Sequence, residues 1–328
     1  MRNFPLRRTH RLPARRLRDV LTLASLSLCL IAPASYAASC PALVATFNAA
    51  AEAGRDKEAE AAIDKAANDP VCAGLQAQMQ RRLAALRLTA VQKAMEQNKP
   101  VASYESALLA AEKPQLLWQA SATLAEVRFN ERAFVEAAQA FDRAIEIVKS
   151  ETLTPTAPQP EDIQRLLDRG SEARLLAANQ QGTKGGKNQF VQTAANGAGS
   201  LGGVYSPTVR GIVPRAVPIP ITFEYRSADL TPVGVQAATE LLRAIREQQP
   251  EKVRVVGHTD PRGASDFNLK LSKARAEAVA AFLRDNGVAV PIEAEGVGAA
   301  EPVRVDANAG LSPDDINALS RRVEWRRE

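Results

Sequence analysis

Asp260 and Arg275 are the two charged residues whose setting points to chemistry. A largely apolar run, Lys252–Val256, leads into Gly257-His258-Thr259-Asp260, and the turn residues Pro261-Arg262-Gly263 follow at once. That order reads as a buried strand delivering a carboxylate to the edge of a sheet. The next amphipathic stretch carries Asn268, Ser272 and Arg275 at offsets of zero, four and seven, which is one face of a helix. A carboxylate and a guanidinium, each on a rigid element, suit a ligand that bears both an ammonium and a carboxylate. A structural ion pair between Asp260 and Arg275 is the alternative that the same residues allow.

Other chemistry is thinly provided. The chain has two histidines, His10 and His258. An HExxH zinc site needs two on one helix and is excluded, and a Ser/His/Asp triad would have to be built around a single imidazole. Cys29, Cys40 and Cys72 are the three cysteines and form no CxxC pair, so cysteine-bound zinc is not expected. Gly296-Val297-Gly298 lacks the third glycine and the following helix of a dinucleotide fingerprint, and reads as a turn. His258 reads as structural. The expectation is a protein that is not an enzyme, with no metal and no cofactor.

The elements that must position Asp260 and Arg275 are legible around them. Ile219–Tyr225 reads as a short strand, and Leu230 to Gln249 as a helix with Thr231 at its N-cap and Pro232 in its first turn. A second helix runs from about Ser265 to Asn286 and stops at Gly287. Ile292–Gly296 is a third strand and Arg321–Arg326 a fourth.

The 328 residues carry a formal charge of +5, which at first points to nucleic acid. Residues 1–37 hold seven of the 42 basic residues and one of the 37 acidic ones, so the remainder is close to neutral and no nucleic-acid partner is expected. That leader reads as a signal peptide. An Arg-rich start precedes the apolar stretch Val20–Ala32, and Ser35-Tyr36-Ala37 supplies the small-x-small pattern for cleavage after Ala37. The apolar run falls short of the ~20 residues a spanning helix needs. His10 and Arg18 stand where a twin-arginine signal wants apolar residues, so general secretion to the periplasm is the reading. Cleavage leaves Cys40 and Cys72, expected to pair as a disulfide in an oxidising compartment. Lipidation of Cys40 after Ala37-Ala38-Ser39 is the alternative.

Residues 38–180 have apolar positions three and four apart and read as an all-α domain. From Trp118 to Glu151, Leu124 and Ala125 on one helix face Ala137, Phe141 and Ala144 on the next, which resembles a tetratricopeptide repeat; a generic bundle stays open. Phe47, Ala59, Ile63 and Ala66 echo the pattern around Gly54. Pro155, Pro158 and Pro160 precede a further amphipathic stretch, Glu161 to Asn179. Residues 181–216 are rich in glycine and read as a flexible linker, and residues 217–328 form the second domain. The aromatic content of 5% and the lack of alternating ten-residue segments argue against an outer-membrane barrel.

Gly257-His258-Thr259-Asp260, Gly263, Asn268-x-x-Leu271-Ser272-x-x-Arg275-Ala276, Gly296-Val297-Gly298, Pro302 and Arg321-Arg322-Val323-Glu324 agree in order with one signature. Together they resemble the OmpA-like peptidoglycan-binding domain, a family that includes the peptidoglycan-associated lipoproteins and the periplasmic part of the flagellar stator subunit. The resemblance implies an α+β multidomain chain. The helical, tetratricopeptide-like region precedes an α/β sandwich of mixed sheet and helices. It also implies non-covalent binding of the diaminopimelate residue of the cell-wall stem peptide. Asp260 would take its ammonium and Arg275 its carboxylate, with Thr259, Asn268 and Arg321 in support. Strand parity favours Arg321 over Arg322. Ser320 stands where the family usually has Asn, which puts one contact in doubt and leaves open a vestigial site. The helical domain would recruit a protein partner, and association with the outer membrane stays open. The rival readings are a peptidoglycan-processing enzyme and a lipid-anchored protein that tethers the outer membrane.

Overall fold

The computed structural model of the chain describes residues 40–184, 205–214, 216–305 and 310–327. The expected signal peptide, 1–37, and most of the expected Gly-rich linker, 185–204, lie outside the described residues. No described helix is long and apolar enough to cross a membrane.

Two compact units divide the chain at Leu124 and Ala125. In the first, α1 (Pro41–Glu52) and α2 (Asp56–Asn68) turn about Gly54, whose φ of 68° is one that a side chain would disfavour. A short 3₁₀ turn leads into α3 (Gln76–Glu96), and α4 (Glu105–Glu112) follows. Phe47, Ala59, Ile63, Ala66, Met79 and Leu83 share one core with Cys40 and Cys72. Those cysteines are bonded to each other, with Cα atoms 5.8 Å apart. The thiol that lipidation would require is therefore engaged. Arg87 on α3 donates to Asp56 at 2.7 Å and Glu60 at 2.6 Å on α2.

The boundary between units falls within α5 (Trp118–Asn130), so the compact units lie elsewhere than the expected domain limits. Helices α6 (Phe134–Lys149) and α7 (Pro160–Lys184) belong with the C-terminal residues. The physical reason is a set of charged side chains. Arg174 on α7 is fully buried and reaches Asp142 on α6 at 2.5 Å and Glu240 at 3.6 Å. Arg327 and Gln248 hold the carbonyl of the buried Tyr205, so residues 205–214, at the end of the expected linker, pack against this unit.

The C-terminal sheet contains β1 (Ala216–Ile219), β2 (Val253–Gly257), β3 (Ile292–Gly296) and β4 (Val323–Arg326), in the order β1-β4-β2-β3. β2 and β3 are parallel, with Gly257 opposite Gly296, while β4 runs antiparallel to both β1 and β2. Helices α8 (Pro232–Gln248), α9 (Ser265–Asp285) and α10 (Pro313–Ser320) complete the unit. Thr231 caps α8 by accepting from Gly234 N at 3.0 Å, and Gly287, at φ 84°, follows α9.

Two strands differ from expectation. The first lies at Ala216–Ile219 rather than Ile219–Tyr225, because the chain turns at once, with Ile221 N donating to Ile219 O at 2.8 Å. The last begins at Val323, since Arg321 is the C-cap of α10. Helix α10 itself is absent from the sequence reading. Its signal is Ser312-Pro313 with Asp315, which form a full capping box.

Candidate functional site

The end of β2 can approach α9 closely because both adjoining strand ends are glycine. A Cβ at Gly257 would lie 2.1 Å from Ser272 O, and one at Gly296 would lie 2.2 Å from Lys273 N. Ser272 then serves both elements: its Oγ donates to Leu269 O and accepts from Gly298 N, each at 2.9 Å. The backbone of the site strand is tied on either side, Thr259 N to Gly298 O and His258 N to Arg322 O, both at 2.9 Å.

Asp260 is buried at the end of this strand, and its carboxylate accepts from three nitrogens, two of side chains and one of the backbone. Its Oδ2 accepts from Arg262 Nη2 at 2.8 Å and Arg321 Nη1 at 2.7 Å, and its Oδ1 from Arg262 N at 3.1 Å. Burial pushes its carboxyl up, but the hydrogen bonds from Arg262 and Arg321 outweigh that and hold the pKa at about 2. Asn268, from α9, donates to Asp260 O at 3.3 Å and Arg262 O at 3.1 Å, so it clamps the turn that carries the carboxylate. Gly263 completes that turn with φ 97°.

Arg275 lies two turns further along α9. Its Nε donates to Ser227 O at 3.0 Å, and its guanidinium sits 4.9 Å from the centre of the Phe223 ring. The residue is 9% exposed. Burial lowers its pKa to about 10, the charge of Arg321 adds to the effect, and Asp260 opposes it. No ion pair joins Arg275 to Asp260, whose partners are Arg262 and Arg321. Among the described residues the two terminal nitrogens of Arg275 have no acceptor.

The remaining residues fall into place around this pair. Arg321 reaches Asp260 from the end of α10, not from a strand, so strand parity is not what aims it. Arg322 instead donates to Glu324 at 2.8 Å. The Thr259 hydroxyl is buried and has no hydrogen-bond partner among the described residues. Ser320 turns its hydroxyl back to Ile316 O at 2.8 Å, away from Asp260's ring of donors. The sequence presents Arg262 only as part of a turn. The available signal was a cation two residues after the carboxylate, within reach of an Asx turn.

His258 is buried, with Nε2 3.4 Å from Glu324 Oε2. With Glu301 and Glu324 it is the group of histidine and carboxylates, among the described residues, that lies close enough to hold a metal. Arg326 already bonds both carboxylates and Arg322 bonds Glu324. Burial raises the Glu324 carboxyl, but His258 and Arg322 bring its pKa down to about 2. The cluster is neutralised by the chain's own cations.

Residues 222–312 match the model of the OmpA family. Among curated proteins, the probable lipoprotein YiaD of Escherichia coli (strain K12) is 36% identical over 109 residues, 33% of this chain and 48% of that protein. The outer-membrane lipoprotein YfiB of Pseudomonas aeruginosa is 43% identical over 75 residues, 23% of this chain and 45% of that protein. The chain thus spans about half the length of these curated relatives. The crystal structure of the peptidoglycan-associated lipoprotein from Burkholderia pseudomallei is 26% identical, covering 35% of this chain and 91% of that one, with a TM-score of 0.28. The part of the chain that holds Asp260 and Arg275 is therefore similar to the OmpA family.

Proposed function

We propose that this protein is a non-catalytic anchor to peptidoglycan, which it holds by the diaminopimelate residue of the stem peptide. The observation that carries the reading is Arg275, a guanidinium largely buried on a rigid helix, with no acceptor among the described residues on its terminal nitrogens and within electrostatic reach of Asp260. Burying two such nitrogens without acceptors is costly, and a ligand carboxylate would remove that cost. The end of the diaminopimelate side chain carries an ammonium and a carboxylate on one carbon. Asp260 takes the first and Arg275 the second. Thr259 has a free hydroxyl beside them, Asn268 holds the turn, and Arg321 orients the Asp260 carboxylate.

The setting is the periplasm, reached by a signal peptide cleaved after Ala37. The named relatives are lipoproteins, one of the outer membrane, which supports a place in the cell envelope near that membrane. The Cys40–Cys72 bond favours an unlipidated chain in an oxidising compartment. The N-terminal helices, outside the matched residues, are the part available to recruit a protein partner. Binding at one site need not be tight, since each charge-assisted hydrogen bond contributes ~1.5–3 kcal/mol and the wall offers the same stem many times.

Walls built on diaminopimelate and walls built on lysine separate this reading from simple attraction to cations. Lysine lacks the second carboxylate, so Arg275 gains nothing from it. The chain is expected to pellet with diaminopimelate walls and to stay largely in solution with lysine walls. Equal pelleting with both contradicts the reading, and steady release of soluble fragments from either would mark an enzyme.

A further inference from the structure

Two guanidinium groups share Asp260 Oδ2, and they are held very differently. Arg321 projects from the capped end of α10, and its side chain is 34% exposed. Arg262 projects from the turn after β2, and its side chain is 62% exposed. Among the described residues the side chain of Arg262 hydrogen-bonds Asp260 alone. Its backbone has separate duties, with N on Asp260 Oδ1 at 3.1 Å and O accepting from Asn268 at 3.1 Å. The turn therefore keeps its ties whether or not the Arg262 side chain stays in place.

The two halves of the site are consequently in opposite conditions. The carboxylate-binding half, Arg275, has terminal nitrogens with no acceptor among the described residues. The ammonium-binding half, Asp260, is filled by a cation on a short tether. We infer that Arg262 is a resident counter-ion, seated on Asp260 in the empty site and displaced by the ammonium of the incoming ligand. Binding is then an exchange of one cation for another at the same oxygen. The Arg262 side chain lies mostly in solvent, so its hold on Asp260 is weak and the exchange is easily made by a cation that also brings a carboxylate to Arg275. A ligand of the same shape without the ammonium leaves Arg262 where it is. The device is a filter for zwitterions, and it lowers affinity for the right ligand in return for rejecting the wrong one.

This inference rests on the ligand reading proposed above, and calorimetric titration of the full chain with free meso-diaminopimelate distinguishes the failure of either. Arg262→Gln removes the competing charge and keeps the backbone contacts. It is expected to bind roughly two- to fivefold more tightly than the parent, the range an exposed pair allows. Arg262→Lys restores a competing cation and is expected to return to the parent affinity. Asp260→Ala is expected to abolish binding in every background. If the parent binds and Arg262→Gln binds equally or more weakly, Arg262 is no competitor and the inference is overturned while the ligand reading stands. If the parent shows no binding, the ligand reading falls and takes the inference with it.

Discussion

Arg132 grips Asp315 with both ends of its guanidinium, Nη1 to Oδ2 at 2.8 Å and Nη2 to Oδ1 at 2.7 Å. The pair joins the turn before α6 to the first turn of α10, and the residue that ends α10 is Arg321, which holds Asp260. Asp315 also closes the capping box with Ser312. One carboxylate thus fixes the start of the helix whose far end orients the site.

The linkage of this pair to pH has a definite sign. The hydrogen bond from Arg132 is the main reason the Asp315 carboxyl lies at about 2, with burial opposing it and Ser312 assisting. A depressed carboxyl pKa stabilises the fold above the unfolded value, near 3.9, and that contribution fades as pH falls toward 2. Asp315→Asn is therefore expected to be less stable than the parent in urea at pH 6, with the gap closing below about pH 3. Arg132→Ala should cost about 1 kcal/mol at neutral pH, since its side chain is half exposed. A gap that widens on acidification contradicts the assignment.

Arg174 makes a stronger demand. It is fully buried with Asp142 and near Glu240, and removing one member of such a group leaves charge without compensation. Arg174→Met is expected to destabilise the C-terminal unit by about 3–5 kcal/mol in urea unfolding. Residues 217–328 expressed alone lack this contact and are expected to unfold at lower urea than residues 125–328. Equal midpoints would mean that α6 and α7 are bystanders.

These two predictions concern the part of the fold that was least readable. Helices α8 and α9 were legible because Thr231, Pro232 and Gly287 mark their ends by chemistry that acts locally. The amphipathic stretch holding Arg174 was readable as a helix but not as a neighbour of α8. Its anchoring residue is a charge, and charges are ordinarily read as solvent-facing. The site shows the same division. Asp260 and Arg275 stand out because each sits on a rigid element with a recognisable pattern. Arg262 does not, because its partner is fixed by the geometry of a turn, and Arg321 is aimed by a short helix whose capping box went unread.

The two strand-end glycines are expected to be intolerant of any side chain. Gly257→Ala sets a Cβ against the backbone carbonyl of Ser272, with no flexible atom to yield. The variant should lose at least 2 kcal/mol of stability, the range of an overpacked core, and should bind diaminopimelate weakly even where it folds. A variant as stable as the parent would show that α9 can move off β2 freely.

The disulfide belongs to the other compact unit. Cys72→Ser opens a loop of sequence separation 32 and is expected to cost that unit about 3 kcal/mol. Wall binding by the same variant should be unchanged, because the bond lies in Met1–Leu124 and the site does not. A parallel loss of binding would contradict the assignment of anchoring to the C-terminal unit.

Co-sedimentation of the full chain with purified diaminopimelate sacculi, beside Asp260→Ala and Arg275→Ala, asks whether the paired charges hold the wall. Circular dichroism establishes that each variant is folded. The account predicts that the parent pellets and that both folded variants remain in solution, because each loss leaves one end of the ligand's zwitterion unmet. If all three pellet alike, the paired charges do not hold the wall and the proposed function is wrong.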